Sequence, residues 1–273
     1  MKKIISSGLL IISATFVFMT QAWACHPWIN VNNYKPKSNN TIRFHMAYGH
    51  NFPFGHSFYD NDKVEKLFML TPEGNNENPS LRLLEKEKYS QIQYESKNSL
   101  MDGTYLIVME SKGNFIAKTD KGYQHKPKKE LKGFDVKGNV KFSQNFCKAI
   151  VNVGGKNSGD SYGKVLGHGL EIVPLKDPGQ LRTNDILPVR VLHNGEGIDE
   201  SVMVYATYMG FSNETDVFAY TAWASSSKGG VAEIRVLEPG IWMLFVNHKF
   251  TYPDSETADE FSYQATLTFE VKP

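Results

Sequence analysis

An all-β fold, laid out as two β-sandwich domains in series, is what this 273-residue sequence predicts. Three observations carry that expectation. Apolar residues recur with a period of two, most clearly at Phe261, Tyr263, Ala265, Leu267, Phe269 and Val271, with polar residues between them. Turn-forming Gly, Pro, Asn and Asp interrupt the chain at short intervals, as they do between the short strands of a sandwich. Helical periodicity is confined to one moderate stretch, residues 81–89. The sandwiches would be immunoglobulin-like or transthyretin-like.

Residues 1–24 read as an export signal. Lys2 and Lys3 precede the apolar residues 4–19, and Ala22-Trp23-Ala24 closes with a small-x-small cleavage site. Its removal from 273 residues would leave 249, and loss of its two lysines would take the formal charge from +1 to −1. No later run is apolar for long enough to span a bilayer as a helix. The expected location is therefore the periplasm. Cys25 follows the cut and would permit lipid attachment, but Trp23 fits ordinary cleavage better. A near-neutral chain without a basic block argues against nucleic-acid partners. The lysine-rich residues 118–141 read as a solvated loop or edge.

The first β-rich domain is expected over residues 25–173. In residues 42–48, Ile42, Phe44, Met46 and Tyr48 share one face of a strand and His45 takes the other. Residues 104–109 and 146–153 are compact apolar runs, read as buried strands. Pro174, Pro178 and Gly179 mark a linker. The second domain follows over residues 180–273. Its strands are expected at 186–192, 201–209, 231–237, 241–246 and 261–271, with a hairpin turn at Glu238-Pro239-Gly240.

Four of the eight histidines, His26, His45, His50 and His56, crowd into residues 26–56. Imidazole is the commonest protein ligand for transition metals, so the cluster points to metal binding. His26 lies one residue inside the expected mature N-terminus, where Trp28 and Ile29 would draw it against the fold. Gly49-His50 and Gly55-His56 flank Asn51-Phe52-Pro53-Phe54, a rigid aromatic loop. Trp28, Phe52 and Phe54 would shape the site. From the second domain, His248 ends a strand face that also carries Trp242, Leu244 and Val246.

Cys25 and Cys147 are the only cysteines. In an oxidising compartment they are expected to form a disulfide, the alternative being a thiol at Cys25 that serves as a soft ligand. His125, His168 and His193 read as structural or exposed loop residues. Asp254, Glu256, Asp259 and Glu260 read as a solvated acidic turn that lacks the glycine and spacing of a calcium loop. HExxH, GxSxG and Walker motifs are absent, so no enzyme is expected. Imidazole suits nickel, cobalt, zinc and copper alike, and it does not choose among them; the nine methionines are scattered without close pairs, which counts against a Cu(I) carrier.

In order along the chain, these motifs resemble a bacterial family of unknown-function domains linked with the periplasmic part of cobalt and nickel transport. They are His26 and Trp28; Gly49-His50; Gly103, Tyr105 and Leu106; Gly167-His168-Gly169-Leu170-Glu171-Ile172-Val173-Pro174; Gly229-Gly230; and Glu238-Pro239-Gly240-Ile241-Trp242-Met243-Leu244. The resemblance implies a β-rich periplasmic protein that binds a divalent ion, nickel or cobalt, and assists its uptake. A membrane transporter would then be a partner. Only His26 and His50 match the family pattern by position. A second expectation from another class is a non-enzymatic partner of an outer-membrane receptor, gripping a metal chelate or organic ligand with the aromatic loop.

Overall fold

Residues 104–109 do not alternate, because both faces of their strand are covered. Leu106 and Val108 enter one hydrophobic core, while Tyr105, Ile107 and Met109 enter another. The sheet that holds this strand is the middle of three layers. The computed structural model describes residues 25–55, 57–77, 82–84, 93–96, 100–155, 158–214 and 217–273. The expected signal peptide and His56 lie outside the described residues.

In chain order the main strands are β1 (His26–Val31), β2 (Arg43–Gly49), β3 (Val64–Leu70), β4 (Gly103–Ser111), β5 (Lys141–Val153), β6 (Glu171–Pro174), β7 (Ile186–His193), β8 (Val202–Tyr208), β9 (Tyr220–Ala224), β10 (Val231–Arg235), β11 (Gly240–Thr251) and β12 (Glu260–Val271). The middle layer is a ten-stranded sheet in the order β9-β8-β11-β12-β5-β4-β3, extended by Asn76–Glu77 and by a short hairpin on β5. β5 and β12 pair in parallel, and the other pairs are antiparallel. The sheet takes strands from both sides of residue 174.

A four-stranded sheet containing β6, β7 and β10 covers one face, where Leu187, Val189, Val191 and Ile234 meet Leu106, Val108, Leu244, Leu267 and Phe269. A five-stranded sheet containing β1 and β2 covers the other, through Ile29, Val31, Phe44 and Met46. The fold is thus all-β and sandwich-like, as the sequence predicts. Among the described residues no helix is long and apolar enough to cross a membrane.

Several local expectations are corrected. Arg82–Leu84, inside the one helical candidate, is a strand paired with Gln93–Glu95. Residues 231–237 and 241–246 do not form a hairpin. β10 pairs with β7 in the outer sheet, whereas β11 pairs with β8 and β12 in the middle one. The Glu238-Pro239-Gly240 turn carries the chain across the core between sheets. Within the expected linker, Pro178 and Gly179 are buried in a 3-10 turn capped by Asp177, whose carboxylate accepts from the Gly179 amide at 2.9 Å.

One buried ionic cluster sits within this fold. Lys148 Nζ on β5 donates to Glu171 Oε1 at 2.9 Å, and both side chains are buried. Glu171 also accepts from the amides of Leu166 and Gly167. Burial depresses the Lys148 ammonium and Glu171 opposes that shift. Beside the pair, His168 stacks on Phe146 and lies 3.2 Å from Glu110 Oε1.

Candidate metal centre

Strand register builds the site. β1 and β2 are antiparallel with His26 opposite Gly49, which brings Cys25 to His50 just beyond the strand ends. Cys25 Sγ lies 2.8 Å from His50 Nε2, and the proton between them can belong to either atom. The His26 ring is stacked on Phe245 at 4.2 Å, tilted to Trp28 at 5.6 Å and edge-on to His50 at 6.3 Å. His26 is only 1% exposed. Trp28 and Ile29 are fully buried, and each such side chain contributes roughly 1.5–3 kcal/mol. Their burial is why the chain start is folded in rather than frayed.

The middle sheet fastens β1 from below. Thr266 Oγ1 donates to the Pro27 carbonyl at 2.9 Å and Thr268 Oγ1 donates to the Ile29 carbonyl at 2.8 Å. The Cys147 thiol also donates to Pro27 O, at 3.3 Å. The expected Cys25–Cys147 disulfide is therefore not formed. Both residues stand as thiols, because Cys147 lies under Pro27 in the core while Cys25 turns to His50. Burial pushes the Cys147 thiol up to about 12, so it is protonated and inert at neutral pH. Threonines perform the pinning for which a disulfide was expected.

His26 and His50 line a narrow cleft with Thr207, Ser212, Glu214 and Met243. The last four come from β8, the loop after it, and β11. Asn51 Nδ2 donates to the Asn213 carbonyl at 2.9 Å and ties that loop to the Phe52 loop. Phe52 is buried edge-on to Trp28 at 5.9 Å. Phe54 is 68% exposed. Thr207, Glu214 and Met243 carry no local sequence signal. Met243 reads as an ordinary core residue of a strand, and it lines the same cleft as His26 only because β1 lies on the middle sheet.

The structure separates the remaining candidates from this corner. His45 shares a β1–β2 face with His26, but it pairs with Asn30, four positions along the strand. That offset is about 13 Å, too far to share one ion. Its Nε2 contacts Asn30 Nδ2 at 3.3 Å, and burial lowers its basicity. His248 projects to the opposite face of the middle sheet from Phe245, on which His26 is stacked. There its Nε2 meets Glu200 Oε1 at 2.7 Å and its ring meets Phe250. His193 is stacked on the same Phe250 at 3.6 Å. In the acidic turn, Asp259 pairs with Lys128 and Glu260 with Lys249. Among the described residues, no three His, Cys, Asp or Glu side chains are already gathered as a ligand set. The built element is the Cys25–His50 pair with His26 alongside.

Fold and corner together define a layered β-sandwich protein with a thiol–imidazole pair at one edge. The chain belongs to the family described as Domain of unknown function (DUF4198), whose pattern matches residues 22–250. No curated protein matches it. Three solved structures show a loose likeness. The adhesin InvE of Yersinia pseudotuberculosis is 9% identical, with 90% of this chain and 58% of the adhesin covered and a TM-score of 0.20. The tandem V-type regions of the chitin-binding protein VCBP3 are 11% identical, with 88% and 99% covered and a TM-score of 0.21. A mutant Salmonella alpha-2-macroglobulin is 10% identical, with 90% and 16% covered and a TM-score of 0.21. This chain spans little more than half of the adhesin.

Proposed function

We propose that this is an exported, periplasmic, non-enzymatic protein that binds a transition-metal ion at the corner of Cys25, His26 and His50 and assists its uptake. Nickel or cobalt is the cargo that the sequence resemblance implies, with a membrane transporter as the receiving partner. The observation that carries the reading is the 2.8 Å contact between Cys25 Sγ and His50 Nε2, two good metal donors that face the same space. His26 stands next to them on a backbone that β12 holds in place. Such a site is bound by register and packing, not by a mobile tail, so little ordering entropy opposes binding. His56 follows the same loop and belongs to the proposal as a further ligand.

Calorimetric titration of the reduced protein with nickel, cobalt, zinc and copper tests this. Binding in the micromolar range or tighter, lost when His26, His50 and His56 are changed to alanine, supports a metal carrier. Binding that survives all three changes removes the corner from consideration. A second reading, a receptor partner that grips a metal chelate or organic ligand, is favoured by one observation. Phe54, Met209, Phe211 and Val217 are exposed apolar side chains on the two loops beside the cleft. Binding that requires the chelator rather than the bare ion would select it.

A further inference from the structure

We infer that the ion this corner takes is copper, held as Cu(I) by Cys25 and His50 with the Met243 thioether as an additional donor. The inference rests on the metal-site reading above and names its cargo. Three features of the donors carry it. First, the closest pair is a sulfur and a nitrogen 2.8 Å apart. Thiolate and thioether ligands select soft ions such as Cu(I), and imidazole suits copper too. A d10 monovalent ion is also satisfied by two or three ligands, whereas nickel and cobalt require more. Second, Met243 is 1% exposed and lines the same cleft as His26 and His50. It packs against Trp28 and Phe52 in a small apolar cluster.

Third, one side of the corner is apolar. Trp28, Phe52 and Phe245 wall the corner, and Phe245 is fully buried. A Cu(I) thiolate is neutral overall, so its burial carries little desolvation cost. A divalent ion on the same thiolate leaves a positive charge that these walls do not solvate. The hard donor that lines the cleft, Glu214, is itself exposed. It suits the approach of a cation better than its retention. Binding releases one proton: the Cys25 thiol becomes a thiolate bonded to Cu(I), the S–H proton leaves to solvent, and nothing is oxidised or reduced.

The test is an anaerobic competition between the reduced, exported protein and bicinchoninate, a coloured Cu(I) chelator, alongside direct titrations with nickel and cobalt. The expected result is withdrawal of one Cu(I) per chain, with sulfur in its first shell by X-ray absorption. Cys25→Ser should weaken Cu(I) by more than about a hundredfold, and Met243→Leu by roughly tenfold. Met243→Leu conserves volume, so an unchanged unfolding curve separates ligand loss from misfolding. Tighter binding of nickel or cobalt than of Cu(I) overturns the copper assignment and leaves the metal site standing. Cu(I) binding that is indifferent to both substitutions overturns the assignment of this corner. No ion bound at all overturns both readings.

Discussion

Two regions of the molecule place ionisable groups against each other, and they do so in opposite ways. In the core, Lys148 and Glu171 are sealed between sheets, and Glu171 takes further bonds from two backbone amides. At the edge, Cys25 and His50 meet in a half-buried corner beside a cleft. The core pair is closed on itself and holds the 166–171 segment in place. The edge pair lies beside the cleft that His26 and His50 line. A buried polar cluster bonded on every side serves the fold, whereas one that opens on a cleft is available for chemistry.

The largest expected effect breaks the core member of this comparison. Lys148→Met leaves the Glu171 carboxylate buried with amides alone, and should cost about 3–5 kcal/mol, read as a fall in the urea midpoint. Changing both partners to apolar residues of similar volume should cost clearly less than that single change. If the single and double variants are equally unstable, the pair is not acting as a coupled unit.

At the edge the same kind of deletion should leave stability nearly alone. Cys25→Ser combined with His50→Ala is expected to shift unfolding by no more than about 1 kcal/mol, while metal affinity falls by more than about a hundredfold. A large loss of stability in metal-free protein would make the corner structural, like the core pair. Thiol chemistry sharpens the contrast further. Native protein should expose one reactive thiol to a disulfide reagent at pH 8, that of Cys25, and two after unfolding, since burial holds Cys147 near 12. Two thiols reacting in the native state would mean that β1 opens readily.

The smallest effect concerns pH. His168 and then Lys66 hold the Glu110 carboxyl below its usual range, against burial. A carboxylate that is more acidic in the folded state contributes stability above its ordinary pKa, and the contribution disappears as pH falls through the depressed value. Glu110→Gln should therefore flatten the acid limb of the stability curve by about 1 kcal/mol or less. An unchanged limb would show that the contact with His168 has no thermodynamic weight.

Local pattern was a good guide to strands and a poor guide to their partners. The alternation in β12 is legible residue by residue, and its apolar set faces the larger core. Its polar set is not all turned to water: Thr266 and Thr268 are buried under β1. Alternation reports which residues are polar, and only the tertiary fold reports what they touch. The Pro-Gly turn before β11 has the chemistry of a hairpin, yet it bridges two sheets, because a turn residue specifies the bend and not the sheet that follows. His26 and His50 were visible as a cluster. Their junction with Cys25 depends on a β1–β2 register that the sequence does not state, and Met243 and Glu214 arrive from nearly 200 residues away in the chain. His45 and His248 failed as partners for geometric reasons, one by distance along a strand and the other by the thickness of a sheet.

The threonine clasp on β1 also sets a timetable. Thr266 reaches Pro27 across 239 residues of sequence, and β12 is seated in the interior of the sheet between β11 and β5. Contacts of such span close late, after the intervening chain has been made. Cys25, His26 and His50 are therefore among the last residues to be locked in place. Until β12 is seated, β1 lacks its clasp and the corner of Cys25, His26 and His50 is unformed.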